Sequence, residues 1–213
     1  ATSWSMIAKA ALPPAFDGLR AAAREVGSVQ IQNRGTIAGN LCNASPAADG
    51  VPPLLALDAR VEIASETKRR ELPLSAFITG YRETALEPGE IVTDVIVPKP
   101  SQHARSAFVK LGARRYLVIS ILMAAAVVER DAQGAIRHAA IAVGAASPVA
   151  QRLSQLEAML RGLPAGERPS AHVRSEHLAV LSPIDDVRAT ADYRREAALT
   201  VLGEALDRAA GVH

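Results

Sequence analysis

The chain has 213 residues, 49% hydrophobic and 22% charged, with a formal net charge of +2. The apolar fraction excludes a disordered chain, and the longest apolar run, Ile121 to Val128, falls far short of the ~18 residues that span a bilayer. One cysteine, Cys42, excludes a disulfide framework and any zinc or iron–sulfur site built from cysteines of this chain. Cys42 reads as a small packed or loop residue. The 24 basic residues are scattered among 22 acids, and seven aromatics offer no base-stacking platform, so a nucleic-acid partner is not expected. Ala1 to Ala11 does not have the basic start and long apolar stretch of a leader, which with the cysteine usage points to the cytoplasm.

In chain order, Pro13-Pro14 precedes apolar residues at helical spacing, which predicts a helix over Ala15–Val26 closed by Gly27. Ser28–Asp49 has neither the helical nor the strand period and reads as one long loop, a feature that in compact domains usually serves function. Ser45 as N-cap and Pro46 at the first position predict a helix running to Leu57. Strands are expected at Arg60–Ala64 and Glu90–Val97, with a short helical turn at Ser75–Phe77 and a loop at Gly80–Pro88. Pro98 to Gln102 interrupts every pattern and divides the chain into residues 1–100 and 101–213. Three further strands are expected at Ser106–Leu111, Val118–Glu129 and Ala135–Val143, the last two joined by a turn with Gly134 at a position of positive φ. Helices follow at Leu153–Arg161, Ser175–Leu181 and Asp192–Ala209. Antiparallel strands followed by helices make this an α+β chain.

The chemistry sits in Gln32-Asn33-Arg34-Gly35-Thr36-Ile37-Ala38-Gly39-Asn40-Leu41, continuing to Asp49. Gly35 and Gly39 allow tight turns that aim successive N–H groups at one anion, and the next helix start adds its positive end. Arg34 is the one cation of the segment, which suits a diphosphate held by amides better than a triphosphate with its metal. The pattern is neither a Walker A loop nor G-x-G-x-x-G, so the spacing by itself leaves two readings, a phosphate loop or an ordinary capped Gly/Asn loop. The five histidines share no ligand spacing, and no G-x-S-x-G elbow is present, so neither a metal site nor a hydrolase triad is expected.

Asn33 to Leu41 followed by Ala44-Ser45-Pro46-Ala47-Ala48-Asp49 resembles the second FAD motif of the medium, flavin-binding subunit of the molybdenum hydroxylases, the xanthine dehydrogenase and aerobic carbon monoxide dehydrogenase family. The resemblance continues in order through Leu54 to Ala59, Phe77 to Thr84, Glu87 to Val92 and Phe108 to Arg115, and covers nearly the whole chain. It implies an FAD-binding subdomain of the vanillyl-alcohol-oxidase type followed by a small antiparallel sheet with helices. It further implies an oxidoreductase component in which FAD receives electrons from [2Fe–2S] clusters of a small subunit. A large molybdopterin subunit would hydroxylate the substrate, NAD or oxygen would accept the electrons, and the assembly would be a dimer of heterotrimers.

Carried over residue by residue, the resemblance places Thr36, Ile37, Ala38, Gly39 and Asn40 around the FAD diphosphate and Asn43 beside the cofactor. It gives Asp49 the flavin or ribityl hydroxyls, Val92 an apolar contact and Lys110 the isoalloxazine ring. On residue type alone, Asp49 also reads as a first-turn acid, Val92 as strand core and Lys110 as the solvent side of a strand. The family's first FAD motif, a Gly-Gly turn, is absent, so the sequence reads as lacking the N-terminal segment. The segment Tyr116-Leu117-Val118-Ile119-Ser120 departs from the acidic pattern of many relatives. A cofactor-free interaction domain is the competing reading.

Overall fold

The structure, a computed structural model, describes residues 1–212. The N-terminal half begins with α1 (Trp4–Lys9), a 3₁₀ turn at Pro14–Phe16 and α2 (Asp17–Glu25). Then come α3 (Val29–Arg34), α4 (Ile37–Asn43) and α5 (Val51–Ala56). The stretch expected to be one loop over Ser28–Asp49 therefore holds two short helices. Ser28 and Thr36 start them by accepting the N–H of Ile31 and Gly39. The hydrophobic pattern is silent because α3 buries none of its residues. The helix expected from Ser45 starts instead at Val51. Ser45 Oγ accepts the Ala47 N–H in a turn, and Pro52 and Pro53 occupy the first helical turn after Gly50.

Strand β1 (Arg60–Ala64) lies between β2 (Arg69–Pro73) and β5 (Ile91–Ile96) in an antiparallel sheet. The helical turn α6 (Leu74–Phe77) leads to the small ribbon of β3 (Ile78–Gly80) and β4 (Glu83–Thr84). The sequence pattern misses β2, β3 and β4. In β2, exposed Arg69, Glu71 and Pro73 alternate with half-buried Arg70 and Leu72, so the strand shows no apolar face.

The second sheet is antiparallel with order β6 (Ala104–Leu111), β7 (Leu122–Arg130), β8 (Ile136–Gly144), β9 (Gln151–Arg152). At the β7–β8 turn Gly134 has φ +84, as expected, and Asp131 Oδ1 accepts the N–H of Gln133 and Ala135. Strand β7 starts at Leu122 rather than Val118, because residues 112–120 form a largely exposed loop. The two-residue β9 is too short to show a pattern. Helices α7 (Ser154–Leu160) and α8 (Ala191–Ala210) follow, whereas Ser175–Leu178 is only a 3₁₀ turn. Thr190 caps α8 by accepting the Tyr193 N–H, and Gly211 ends it with φ +72.

Period-2 alternation makes the second sheet the centre of the molecule. Met123, Ala125 and Val127 of β7 face a core that includes Trp4, Leu19, Leu54 and Phe77. Leu122, Ala124, Ala126 and Val128 face the other core, with Leu156, Leu202 and Leu206. Arg152 joins the halves by donating to Leu55 O at 2.9 Å and pairing with Asp58 at 2.7 Å and Glu157 at 2.6 Å. The α+β class and the order of its parts agree with the sequence.

Candidate cofactor site

The site starts at the turn Gly35–Asn40, which the N-terminal segment fastens. Trp4 N–H donates to Gly35 O, Ile37 N–H donates to Thr2 O, and Ser3 bridges Thr36. Trp4 is 1% exposed and lies under the turn, where a Cβ on Gly50 would come within 2.3 Å of its ring. No side chain fits there, which is why residue 50 is glycine. Thr36 Oγ1 accepts the Gly39 N–H at 3.0 Å and retains its own hydroxyl proton to donate. A Cβ on Gly39 would come within 2.9 Å of that hydroxyl and meet nothing else within 4 Å, so beyond the Thr36 cap the outer face of the turn is open.

Asn40 and Asn43, one helical turn apart on α4, line a cleft of about 520 Å³ with Ser45 and Asp49. Val26, Ile31 and the 117–119 segment supply its apolar walls. Asn40 Oδ1 is buried with no hydrogen-bond partner among the described residues, an acceptor that wants a donor. Arg82, at φ +59, donates to Asn43 Oδ1 and, through its N–H, to Ala44 O at 3.0 Å. A second cleft of about 520 Å³ shares Ser45, Ala47 and Ile119 with the first. It carries Arg82, Arg188 and Arg194 against Asp186, with Tyr81 and Ile184 at an apolar rim.

Asp49 and Lys110 form a buried pair, Nζ to Oδ2 2.7 Å, with side chains 8% and 6% exposed. The Ser120 hydroxyl donates to Asp49 Oδ1 at 2.6 Å, and Lys110 also donates to Glu25 O at 3.2 Å. Burial pushes the Asp49 carboxyl above its ordinary range, while Lys110 and Ser120 pull it back and Glu25 adds a smaller upward push. The solvent-side reading of Lys110 is thereby overturned. Its strand end turns inward onto Asp49 rather than to water.

Of the residues singled out in the sequence, Asn40, Asn43 and Asp49 line the first cleft, and Lys110 sits behind it on Asp49. Thr36, Ile37, Ala38 and Gly39 form the adjoining turn, with the Ile37 side chain 8% exposed in the N-terminal core. The N–H groups of Ile37, Gly39 and Asn40 are already engaged by Thr2 O, Thr36 Oγ1 and Thr36 O. Val92, opposite Ile63 on β5, is half-buried against the N-terminal core and lines neither cleft. Ser120 and Arg194 carry no sequence signal. One is a lone serine between isoleucines, and the other is a charged residue on an ordinary helix that becomes 3% exposed.

Residues 1–100 match the FAD binding domain in molybdopterin dehydrogenase, and residues 107–209 match the CO dehydrogenase flavoprotein C-terminal domain. The xanthine dehydrogenase FAD-binding subunit of Escherichia coli O157:H7 is 31% identical over 198 residues, covering 91% of this chain and 68% of that protein. The chain belongs to the FAD-subunit family of the molybdenum hydroxylases. Within that family, the nicotinate dehydrogenase FAD-subunit of Eubacterium barkeri is 40% identical over 146 residues, 67% of this chain and 49% of that protein. The chain thus spans about half the length of that relative and about two thirds of the E. coli one. A solved carbon monoxide dehydrogenase from Hydrogenophaga pseudoflava superposes with a TM-score of 0.86 at 27% identity, covering 98% of this chain and 72% of the matched one. The residues of the first cleft suit the family's cofactor. A polar floor and apolar walls match a ligand that is part planar ring and part polar chain, and Asn40 Oδ1 and the Thr36 hydroxyl await partners.

Proposed function

We propose that the chain is the FAD-binding, electron-transferring subunit of a molybdenum hydroxylase. The observation that carries this reading is the first cleft, where Asn40, Asn43 and Asp49, with Lys110 behind, share one amphipathic groove. Thr36 donates its hydroxyl to a phosphate oxygen of FAD while still capping Gly39, and the open face of Gly39 lets the diphosphate approach the turn. Ile37 and Ala38 set the backbone of that turn. Asn43, Asp49 and Asn40 would hydrogen-bond the polar parts of the cofactor, and Lys110 would hold positive charge behind Asp49. Bound FAD supplies the electron-carrying ring that this chain's side chains cannot provide. Val92 belongs to the β5 wall of the N-terminal half and serves the cofactor at most through that packing.

Family membership supports partner subunits, and we infer the rest of the assembly with them: a large molybdopterin subunit, a small subunit carrying [2Fe–2S] clusters, and a dimer of heterotrimers in the cytoplasm. No helix among the described residues is long and apolar enough to cross a membrane. The acceptor would be NAD or oxygen, and for NAD the exposed Arg82 and Arg188 of the second cleft would suit its phosphates. The test is FAD content and titration of the purified full chain and of its complex. Stoichiometric yellow flavin that survives gel filtration is expected, and a colourless complex refutes the reading. The competing reading, a cofactor-free interaction domain, is favoured by the internal engagement of the Ile37, Gly39 and Asn40 amides. It predicts a chain that binds partner subunits normally and takes up no FAD.

A further inference from the structure

Ser120 is 2% exposed and ends the loop that separates β6 from β7. Its single O–H points at Asp49 Oδ1 at 2.6 Å, the length of a strong hydrogen bond to a charged acceptor. The other Asp49 oxygen takes the Lys110 ammonium at 2.7 Å. Ser120 lines the second cleft and Asp49 the first, so one hydrogen-bonded chain, Ser120–Asp49–Lys110, passes through the wall between them. The charged groups facing Asp49 are Lys110 from β6 and Glu25 from α2, the latter paired with Arg115 of the same loop at 3.2 Å.

We propose that Ser120 is a positioning residue that fixes Asp49, and through it the Lys110 ammonium, at the boundary of the two clefts. It thereby sets the pH at which the pair loses its negative member. This rests on the FAD reading only for its effect on the flavin. The hydroxyl favours the ionised carboxylate, so its removal favours the protonated one. Once Asp49 is protonated, the Lys110 charge behind it would be uncompensated and would favour reduced flavin held in the first cleft.

The experiment compares the full chain with Ser120→Ala, following the protonated Asp49 carboxyl band by infrared titration, assigned by its loss in Asp49→Asn. The flavin midpoint potential is measured against pH in the FAD-loaded protein. Ser120→Ala is expected to raise Asp49 proton affinity about tenfold, a shift of about one pH unit. The pH below which the flavin potential turns upward moves by the same amount. An Asp49 titration within twofold of the unaltered chain overturns the proposal. Should Ser120→Ala fail to fold, Ser120→Cys keeps the volume with a weaker donor and is expected to shift Asp49 in the same direction by a smaller step; no shift there also overturns it. An unaltered chain that takes up no FAD defeats the cofactor reading, while the infrared titration of the cofactor-free protein still decides the role of Ser120.

Discussion

Lys110→Met tests the buried pair through stability, without reference to flavin. At 2.7 Å and an effective dielectric constant near 20, the Lys110–Asp49 attraction is about 6 kcal/mol before desolvation is counted. Methionine keeps the apolar stem, so the loss is electrostatic, and removing one member of a buried pair costs about 3–5 kcal/mol. Protonation of the stranded Asp49 caps that cost. At pH 7, about three units above an unperturbed aspartate, the cap is about 4 kcal/mol. Asp49 already titrates above its ordinary range, and losing Lys110 raises it further. A carboxyl raised in the folded state destabilises as pH climbs from its unfolded value through its folded one, and imposes nothing below the former. Urea unfolding should therefore show a deficit of about 3–4 kcal/mol at pH 7, shrinking to about 1 kcal/mol near pH 4. The double variant Asp49→Asn, Lys110→Met should recover most of the loss at pH 7. A deficit below about 1 kcal/mol at pH 7, or one equal at both pH values, refutes the reasoning.

Gly39→Glu places a carboxylate on the Thr36 turn, its Cβ 2.9 Å from Thr36 Oγ1; flavin retention should drop below a tenth of the unaltered level, with a modest fall in the thermal midpoint as the Thr36 cap shifts, as read by absorbance and calorimetry. In Gly50→Ala the new Cβ lies 2.3 Å from the Trp4 ring, and urea unfolding should register a loss of about 1–3 kcal/mol from overpacking. Glu90 is held down to about 2 by the Arg70 guanidinium and the Glu87 N–H, against an ordinary 4.5. Its contribution is present above 4.5 and lost as pH falls towards 2. Glu90→Gln should flatten the dependence of unfolding midpoint on pH across that window, whereas an unchanged slope means that Glu90 is not the titrating group.

What could be read from the sequence follows from how each element is stabilised. Strand β1 and helix α8 announce themselves because burial imposes a period on their residues, and β7 and β8 because burial on both faces makes continuous apolar runs. Helices α3 and α4 are short and start on side-chain caps; α3 buries no residue and α4 only Ile37 and Leu41, too little for a period to stand out. Thr36 to Asn43 and Asp49 stood out through their motif, which marks the neighbourhood of the cleft but not its detailed bonding. That Lys110 faces inward was open in the sequence, since a strand end fixes alternation but not which side has a carboxylate waiting. Ser120 and Arg194 are single residues whose significance comes entirely from partners distant in the chain, Asp49 for Ser120 at 71 residues and Ile121 for Arg194 at 73.

The central sheet also governs when the molecule can assemble. The core around Trp4 and Leu54 takes Met123 and Ala125 from β7 and Ala140 and Ala142 from β8 as part of its wall. During synthesis the first hundred residues therefore emerge without the surface that closes their own interior. Their apolar side waits until the hairpin of β7 and β8 has left the ribosome, a period in which exposed surface invites chaperones. A nascent chain stalled before residue 144 should remain protease-sensitive throughout, and cofactor capture becomes one of the last events in the life of the newly made polypeptide.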